Sequence, residues 1–133
     1  MLLLTDAGVS QSADVDSEMI AAGAVPKLSQ LLTANDSIMQ EMAAAVLGNL
    51  CHESPENQDK LADDAMFQKL SSLLSSSGGP AQEAAYAIWN LTVGHQRNSD
   101  AIARSGAVPK LAELLQLGAL NGFSIGSSLF FWF

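Results

Sequence analysis

A six-residue segment, Gly-Ala-Val-Pro-Lys-Leu, occurs twice in the 133-residue chain, at 23–28 and again at 106–111. The two copies are 83 residues apart (106 − 23), and a weaker third copy lies near the midpoint, at 65–70. Self-similarity at a spacing of about 40 residues is typical of stacked-repeat proteins. Each unit of such a protein buries an apolar face against the next unit, and the stack presents a long surface to partners. The repeat therefore constrains the fold more than any other feature of the sequence.

The apolar residues of each unit fall at helical spacing. The pattern i, i+3, i+6, i+7 predicts one amphipathic helix in each unit, formed by Val25, Leu28, Leu31, Leu32; by Phe67, Leu70, Leu73, Leu74; and by Val108, Leu111, Leu114, Leu115. A longer helical stripe follows in two units, at Ala43, Val46, Leu47, Leu50 and at Ala84, Ala87, Ile88, Leu91. A short helical pattern precedes each amphipathic helix, at 16–22, 56–64 and 98–105. No segment shows the period of a half-buried strand, so we predict an all-α protein with three helices per unit.

Helix start signals agree with these boundaries. Pro26 and Pro109 suit the first turn of a helix, where a backbone amide has no intrahelical partner. Asp36 and Ser54 are predicted N-cap residues. The Ser-Gly-Gly-Pro segment at 77–80 is a strong break before the next helix.

These units resemble armadillo repeats. The likeness is carried by the Gly-Ala-Val-Pro-x-Leu-x-x-Leu-Leu run and by an alanine-rich helix that ends in Asn-Leu. Asn57 and Asn98 match the asparagine that such repeats often have at the start of the first helix. The resemblance implies a right-handed α-α superhelix, an armadillo-type solenoid of three-helix repeats. It divides the chain into a remnant of a preceding repeat and loop (1–14), two repeats (15–54 and 55–96), a partial repeat (97–117) and an atypical apolar tail (118–133).

The tail departs from the family pattern. Gly and Ser residues in 118–128 oppose a third long helix, and the apolar cluster at 129–133 has no polar face. One interpretation is that 129–133 folds back over the open end of the last unit. The pattern favours another, in which the chain is part of a longer array or has an aberrant terminus, because the ends of a solenoid need polar caps.

Composition narrows the classes of partner. The formal charge of −8, from 14 acidic and 6 basic residues, disfavours nucleic-acid binding, which needs a basic stripe. The single cysteine, Cys51, excludes an internal disulfide, and we expect a buried, reduced thiol. No apolar run approaches the length of a membrane span. These features predict a cytoplasmic or nuclear protein that does not bind membranes.

The resemblance also implies a binding surface. Armadillo proteins hold an extended peptide in a concave groove lined by third helices, with asparagine side chains bonded to the peptide backbone. Asn49 and Asn90 match that position, and their helical register predicts exposure of both; an alternative is that they only bond neighbouring helices and shape the solenoid. Tyr86 and Glu83 are candidates for selecting partner side chains, although Glu83 is also a common acid for the first turn of a helix. Trp89 could anchor a partner or wedge into the next unit.

Two further patterns bear on function. In importin-α, the armadillo carrier of basic nuclear-localisation peptides, a tryptophan stands four residues before the asparagine, whereas Ala45 and Tyr86 occupy those positions here. His52 and His95 have no ligand cluster around them and are expected to be solvated. Neither a nucleophile–base pair nor a phosphate-binding loop is recognisable.

We therefore expect a non-catalytic module that binds an extended peptide or a partner helix. No cofactor, metal or small-molecule substrate is expected. The sequence leaves two alternatives open: a nuclear-import adaptor of the importin-α type, and spacer repeats of a larger scaffold with no binding role of their own.

Overall fold

The computed structural model describes residues 15–116, and within that range the chain is helical with no strand. The helices are α1 (described at 15–21), α2 (Ala24–Leu31), α3 (Ser37–Cys51), α4 (Pro55–Leu61), α5 (Asp64–Leu73), α6 (Gly79–Thr92), α7 (Gln96–Arg104) and α8 (Ala107–Gln116). The predicted remnant at 1–14 and the predicted tail at 118–133 lie outside the described residues.

The helices form stacked units of three. Helices α1–α3 make the first unit, α4–α6 the second, and α7 and α8 begin a third. The most extensive contact joins α3 to α6, so the long third helices of neighbouring units lie side by side. Further contacts join α5 to α7 and α8 in the next unit. Within residues 15–116, the predictions of an all-α structure and of three-helix units are confirmed.

Local capping fixes where the helices begin. The Asp36 carboxylate accepts hydrogen bonds from the amides of Ile38 (2.8 Å) and Met39 (3.2 Å), and Ser54 Oγ accepts one from the amide of Asn57 (3.3 Å). Both predicted N-caps are therefore confirmed. They satisfy amides that have no partner inside the helix.

The middle unit lacks the glycine of the repeated hexapeptide for a structural reason. Gly23 and Gly106 precede α2 and α8 with φ angles of 85° and 82°, in the left-handed region that favours glycine. In the middle unit, α5 instead begins after Asp63, whose backbone is extended (φ −135°) and whose carboxylate accepts from the amide of Met66 at 2.7 Å. A side-chain cap therefore replaces a glycine turn, and the repeat spacing slips there.

The core is continuous across the units. Its buried residues lie on all three kinds of helix and include Leu47, Phe67, Leu70, Ile88 and Ile102, each at most 1% exposed. Small residues let α3 and α6 approach closely. A methyl group at Gly48 would overlap the ring of Tyr86 from α6, so glycine at this position leaves room for the ring.

Two buried asparagines join successive units. Asn57 Nδ2 donates to the carbonyl oxygen of Leu50 (2.7 Å), and Asn98 Nδ2 makes the equivalent bond to Leu91 (2.8 Å). Asn98 also donates to the carbonyl oxygen of Gln58 at 3.1 Å. These are the asparagines that the resemblance placed at the start of each first helix. They satisfy carbonyl groups at the end of the preceding third helix.

Lysines join the second helices of neighbouring units. Lys69 Nζ on α5 donates to the carbonyl oxygen (3.1 Å) and Oγ (2.6 Å) of Ser29 on α2. Lys110 Nζ on α8 makes the corresponding bond to the carbonyl oxygen of Ser71 on α5, at 3.1 Å. The same link therefore recurs at both junctions.

A strained residue follows α3. Glu53 has φ 53° and is the only non-glycine residue with positive φ in the described range, whereas Gly94, 41 residues later (94 − 53), has φ 68° at the equivalent turn after α6. The left-handed conformation costs a residue with a Cβ about 1–2 kcal/mol, and part of this is offset by the greater freedom of glycine in the unfolded chain.

We expect Glu53→Gly to raise the free energy of unfolding by about 0.5–1 kcal/mol, measured by urea denaturation. Gly94→Ala is the reciprocal control and should lower it; an unchanged urea midpoint for Glu53→Gly would contradict the assignment of strain.

Candidate functional site

An open stripe runs along α3. Ile38 and Met42 are 65% and 62% exposed despite being apolar, and Asn49 and His52 are also exposed. Ala45 is half-buried within the same stripe. The exposure that the helical register predicted for α3 is confirmed. Exposed apolar side chains grouped on a surface are a common feature of interaction sites.

The matching stripe on α6 is more covered. Asn90, predicted to be exposed, is 2% exposed, so that prediction is wrong. His52 from the preceding unit lies over it, with Nδ1 3.2 Å from Asn90 Oδ1, while Asn90 Nδ2 donates to the carbonyl oxygen of Tyr86 at 3.2 Å. The side-chain amide of Asn90 therefore forms its hydrogen bonds within the fold. This agrees with the alternative interpretation, in which the residue bonds neighbouring helices and shapes the solenoid.

Tyr86 brings the two stripes together. Its hydroxyl donates to Asn49 Oδ1 at 3.0 Å, across the α3–α6 contact. Among the hydrogen bonds of residues 15–116, none is donated by Asn49 Nδ2, which stays exposed. Asn49 therefore has a fixed orientation and an amide donor directed to solvent.

Glu83 lies half-buried on α6, one turn before Tyr86. Loss of hydration raises the pKa of its carboxyl group, and the negative charge of Glu41 on α3 raises that pKa further. The Glu41 carboxylate itself packs against Gly79 at the start of α6, where an added methyl group would collide with it. Two carboxylates therefore face this end of the α3–α6 contact.

A cavity of about 330 Å³ lies where α3 ends, α4 begins and α6 ends. It is lined by His52, Glu53, Ser54, Pro55, Gln58, Trp89, Asn90 and Val93. We call it the Trp89 cavity. Trp89 is half-buried: it packs against the hydrophobic core and also forms a wall of the cavity. Both sequence-based interpretations of Trp89 are compatible with this position, and its role in binding stays a prediction.

The hydrogen bonds around the Trp89 cavity define its polarity. Because Asn90 Nδ2 donates to Tyr86, Asn90 Oδ1 is the acceptor facing His52, and we assign the proton to His52 Nδ1. The other ring nitrogen of His52, Nε2, lies 3.9 Å from Glu53 Oε1. Gln58 Nε2 is occupied by two carbonyl oxygens, those of Asn90 and Val93, both at 2.8 Å.

The second histidine has a structural role. His95 caps α7, since its Nδ1 accepts from the amide of Asn98 at 3.2 Å, and its Nε2 bonds Asp59 Oδ1 at 2.7 Å. Its side chain is 15% exposed, so the expectation that it is solvated is wrong. Ser54 has the same capping role 41 residues earlier (95 − 54). This register is the sequence signal that identifies His95 as a cap.

Other chemistry in the described range is sparse. Cys51 is fully buried, and burial raises the pKa of its thiol to about 12, which keeps it protonated at neutral pH. The buried thiol was predicted correctly. No group of three His, Cys, Asp or Glu side chains within 15–116 is arranged to hold a metal ion. None of the helices in that range combines the length and apolar character that crossing a bilayer requires.

Stacked three-helix units with adjacent third helices define an α-solenoid repeat protein. A model of the armadillo/beta-catenin-like repeat matches residues 12–52, which include α1, α2, α3 and the turn that follows. This match supports the armadillo-repeat resemblance predicted from the sequence. Repeats of this class mediate protein interactions and are generally non-catalytic. A comparison with curated proteins finds no match to the sequence.

Proposed function

We propose that the chain is a non-catalytic interaction module that binds an extended polypeptide along its third helices. The binding surface is the third-helix face, comprising Ile38, Met42, Ala45 and Asn49 of α3 with Glu83, Tyr86 and Trp89 of α6. The observation that carries the proposal is the open apolar stripe of α3, which ends in a fixed asparagine with an exposed amide donor.

The polar contacts of this face support an extended ligand. Asn49 Nδ2 can donate to a backbone carbonyl of the bound chain, while its oxygen is held by Tyr86. Fixing the amide before binding lowers the entropic cost of ordering it. Ile38 and Met42, which precede Asn49 on the same helix, offer exposed apolar area to one side of that backbone. Asn90 does not bond the ligand backbone in this proposal, because its side-chain amide forms hydrogen bonds within the fold.

Charge supports a basic or neutral partner. All six basic residues of the chain lie on first or second helices: Lys27, Lys60, Lys69, Arg97, Arg104 and Lys110. The third helices α3 and α6 carry Glu41 and Glu83 and no cation. An acidic polypeptide would meet like charge on this face, so electrostatic complementarity disfavours it.

The proposal predicts a specific effect of removing the exposed amide. Peptides selected from a random display library on the wild-type chain should bind Asn49→Ala about fivefold more weakly, because one hydrogen bond of about 1 kcal/mol is lost. Fluorescence polarisation of labelled peptides measures the change, and circular dichroism checks that the fold is intact. Gln30→Ala, which removes an exposed amide from second helix α2, is the matched control and should bind normally.

Two outcomes would contradict the proposal. Failure of any peptide to enrich would favour spacer repeats without a binding role. Equal affinities for wild type and Asn49→Ala would remove the third-helix face as the site.

An import-adaptor role has less support, since Ala45 and Tyr86 replace the stacked tryptophans that the resemblance associates with it. We also propose that the protein acts in the cytoplasm or nucleus.

A further inference from the structure

We propose that the Trp89 cavity is a subsite for a cationic side chain, arginine or lysine, of the bound polypeptide. This inference rests on the proposed function and specifies the chemistry of one ligand residue. The subsite lies at the end of α3 and α6. It is distinct from the positions of Ala45 and Tyr86, one turn earlier, where the family resemblance would place tryptophans.

The walls of the cavity suit the stem of a long side chain. Trp89 is half-buried, and Val93, which is 40% exposed, follows directly after the last residue of α6. Pro55 closes the side formed by α4. Aliphatic stems of lysine and arginine bury well against such surfaces while the charged end stays near water. An indole face also attracts a cation through its ring quadrupole.

The Glu53 carboxylate is the charged acceptor that the cavity offers to a ligand, and it lies 3.9 Å from His52 Nε2. The donor of Gln58 is already bonded to two carbonyl oxygens, and Asn90 donates to Tyr86. A ligand group rich in donors and positively charged fits this set, whereas a carboxylate or phosphate does not.

Backbone strain marks Glu53 as more than a turn residue. The equivalent turn after α6 uses Gly94, which adopts the same left-handed conformation without a Cβ. Glu53 keeps a charged side chain at the cavity although the backbone there favours glycine. Strained residues of this kind cluster at active sites and ligand sites. The 85% exposure of its side chain leaves the carboxylate accessible to a ligand.

The test uses the fluorescence of Trp89 itself. The chain has two tryptophans, so Trp132→Phe leaves Trp89 as the single reporter. In that background, titration with N-acetyl-arginine amide at millimolar concentrations should give a saturable change in fluorescence. N-acetyl-citrulline amide, nearly the same shape without the charge, should give none. Glu53→Gln should weaken the arginine response by up to about fivefold, because the paired carboxylate is lost.

A matched control distinguishes binding of arginine at Glu53 from nonspecific attraction to the negatively charged chain. Glu56→Gln removes an exposed carboxylate three residues away, which pairs with Lys60 at 2.6 Å outside the cavity, and should leave the arginine response unchanged. Glu53→Gly provides a second variant that is expected to fold at least as well as the wild type, and it should also lose the response. Equal responses to arginine and citrulline, or an arginine response that survives in both Glu53 variants, would overturn the proposal.

The outcome is separable from that of the proposed function. If selected peptides bind the third-helix face and lose affinity in Asn49→Ala but show no enrichment of arginine or lysine, the module stands and the cationic subsite falls. If no peptide enriches while arginine amide still binds through Glu53, the cavity exists without the groove.

Discussion

Replacing Phe67 with alanine will lower the free energy of unfolding by about 3–5 kcal/mol, the usual cost of deleting a buried aromatic ring. Phe67 is 1% exposed on α5 and is among the largest fully buried side chains. The equivalent positions in the neighbouring units hold Val25 and Val108, so the middle unit relies on one larger residue to fill this space. Loss of the ring leaves a cavity at the centre of the described array. A domain of about 100 residues has only about 5–15 kcal/mol of stability, so a large fraction would be lost.

Urea denaturation followed by circular dichroism measures this loss. Gln68→Ala, at the exposed neighbouring position on α5, should change stability by less than about 0.5 kcal/mol. Phe67→Val tests the repeat register, because valine is the residue of the flanking units, and it should cost less than alanine. If Phe67→Ala were as stable as Gln68→Ala, α5 would not pack as described.

Asn98→Ala should be the most damaging polar substitution, with a loss of about 2–4 kcal/mol. Its side chain is 1% exposed and donates to two carbonyl oxygens, those of Leu91 and Gln58. Alanine would leave both acceptors buried without a donor, and each such group costs about 1–3 kcal/mol. The substitution should loosen α7 first, because Asn98 joins that helix to the preceding unit.

Comparison with the equivalent residue sharpens the test. Asn57 makes one such bond, to Leu50, so Asn57→Ala should cost about half as much. Asn35→Ala, at an exposed position, serves as the neutral control. Hydrogen exchange of the α7 amides reports the local effect. Equal losses for Asn57→Ala and Asn98→Ala would argue that the bond to Gln58 contributes nothing.

Much of this fold follows from the sequence because the repeat supplies its own internal comparison. The spacing between units predicted the three-helix pattern, and short-range signals predicted the caps at Asp36 and Ser54. Register along one helix also predicted the exposure of Ile38, Met42 and Asn49 correctly. These properties depend on residues within a few positions of one another, which is why local patterns suffice.

What the sequence did not predict depends on neighbouring units. The register of α6 placed Asn90 on an exposed stripe, but His52, 38 residues earlier, covers it. Likewise Asp59 lies 36 residues before the histidine it bonds, His95. The apolar register of one helix does not show which side chains of a neighbouring unit cover that helix. The cavity beside Trp89 could not be predicted for the same reason. The repeat spacing does show that Glu53 and Gly94 occupy equivalent positions in two units.

The lysine links between second helices have a consequence for how the array moves. Adjacent units are attached along two separate lines, one through α3 and α6 and the other through Lys69 and Ser29 on α5 and α2. Contacts along two separate lines restrict hinge rotation of one unit about either line. We therefore expect little bending at this junction. Under the proposed function, the bound polypeptide would then adapt its shape to the repeat array, and most of the conformational entropy lost on association would come from the ligand.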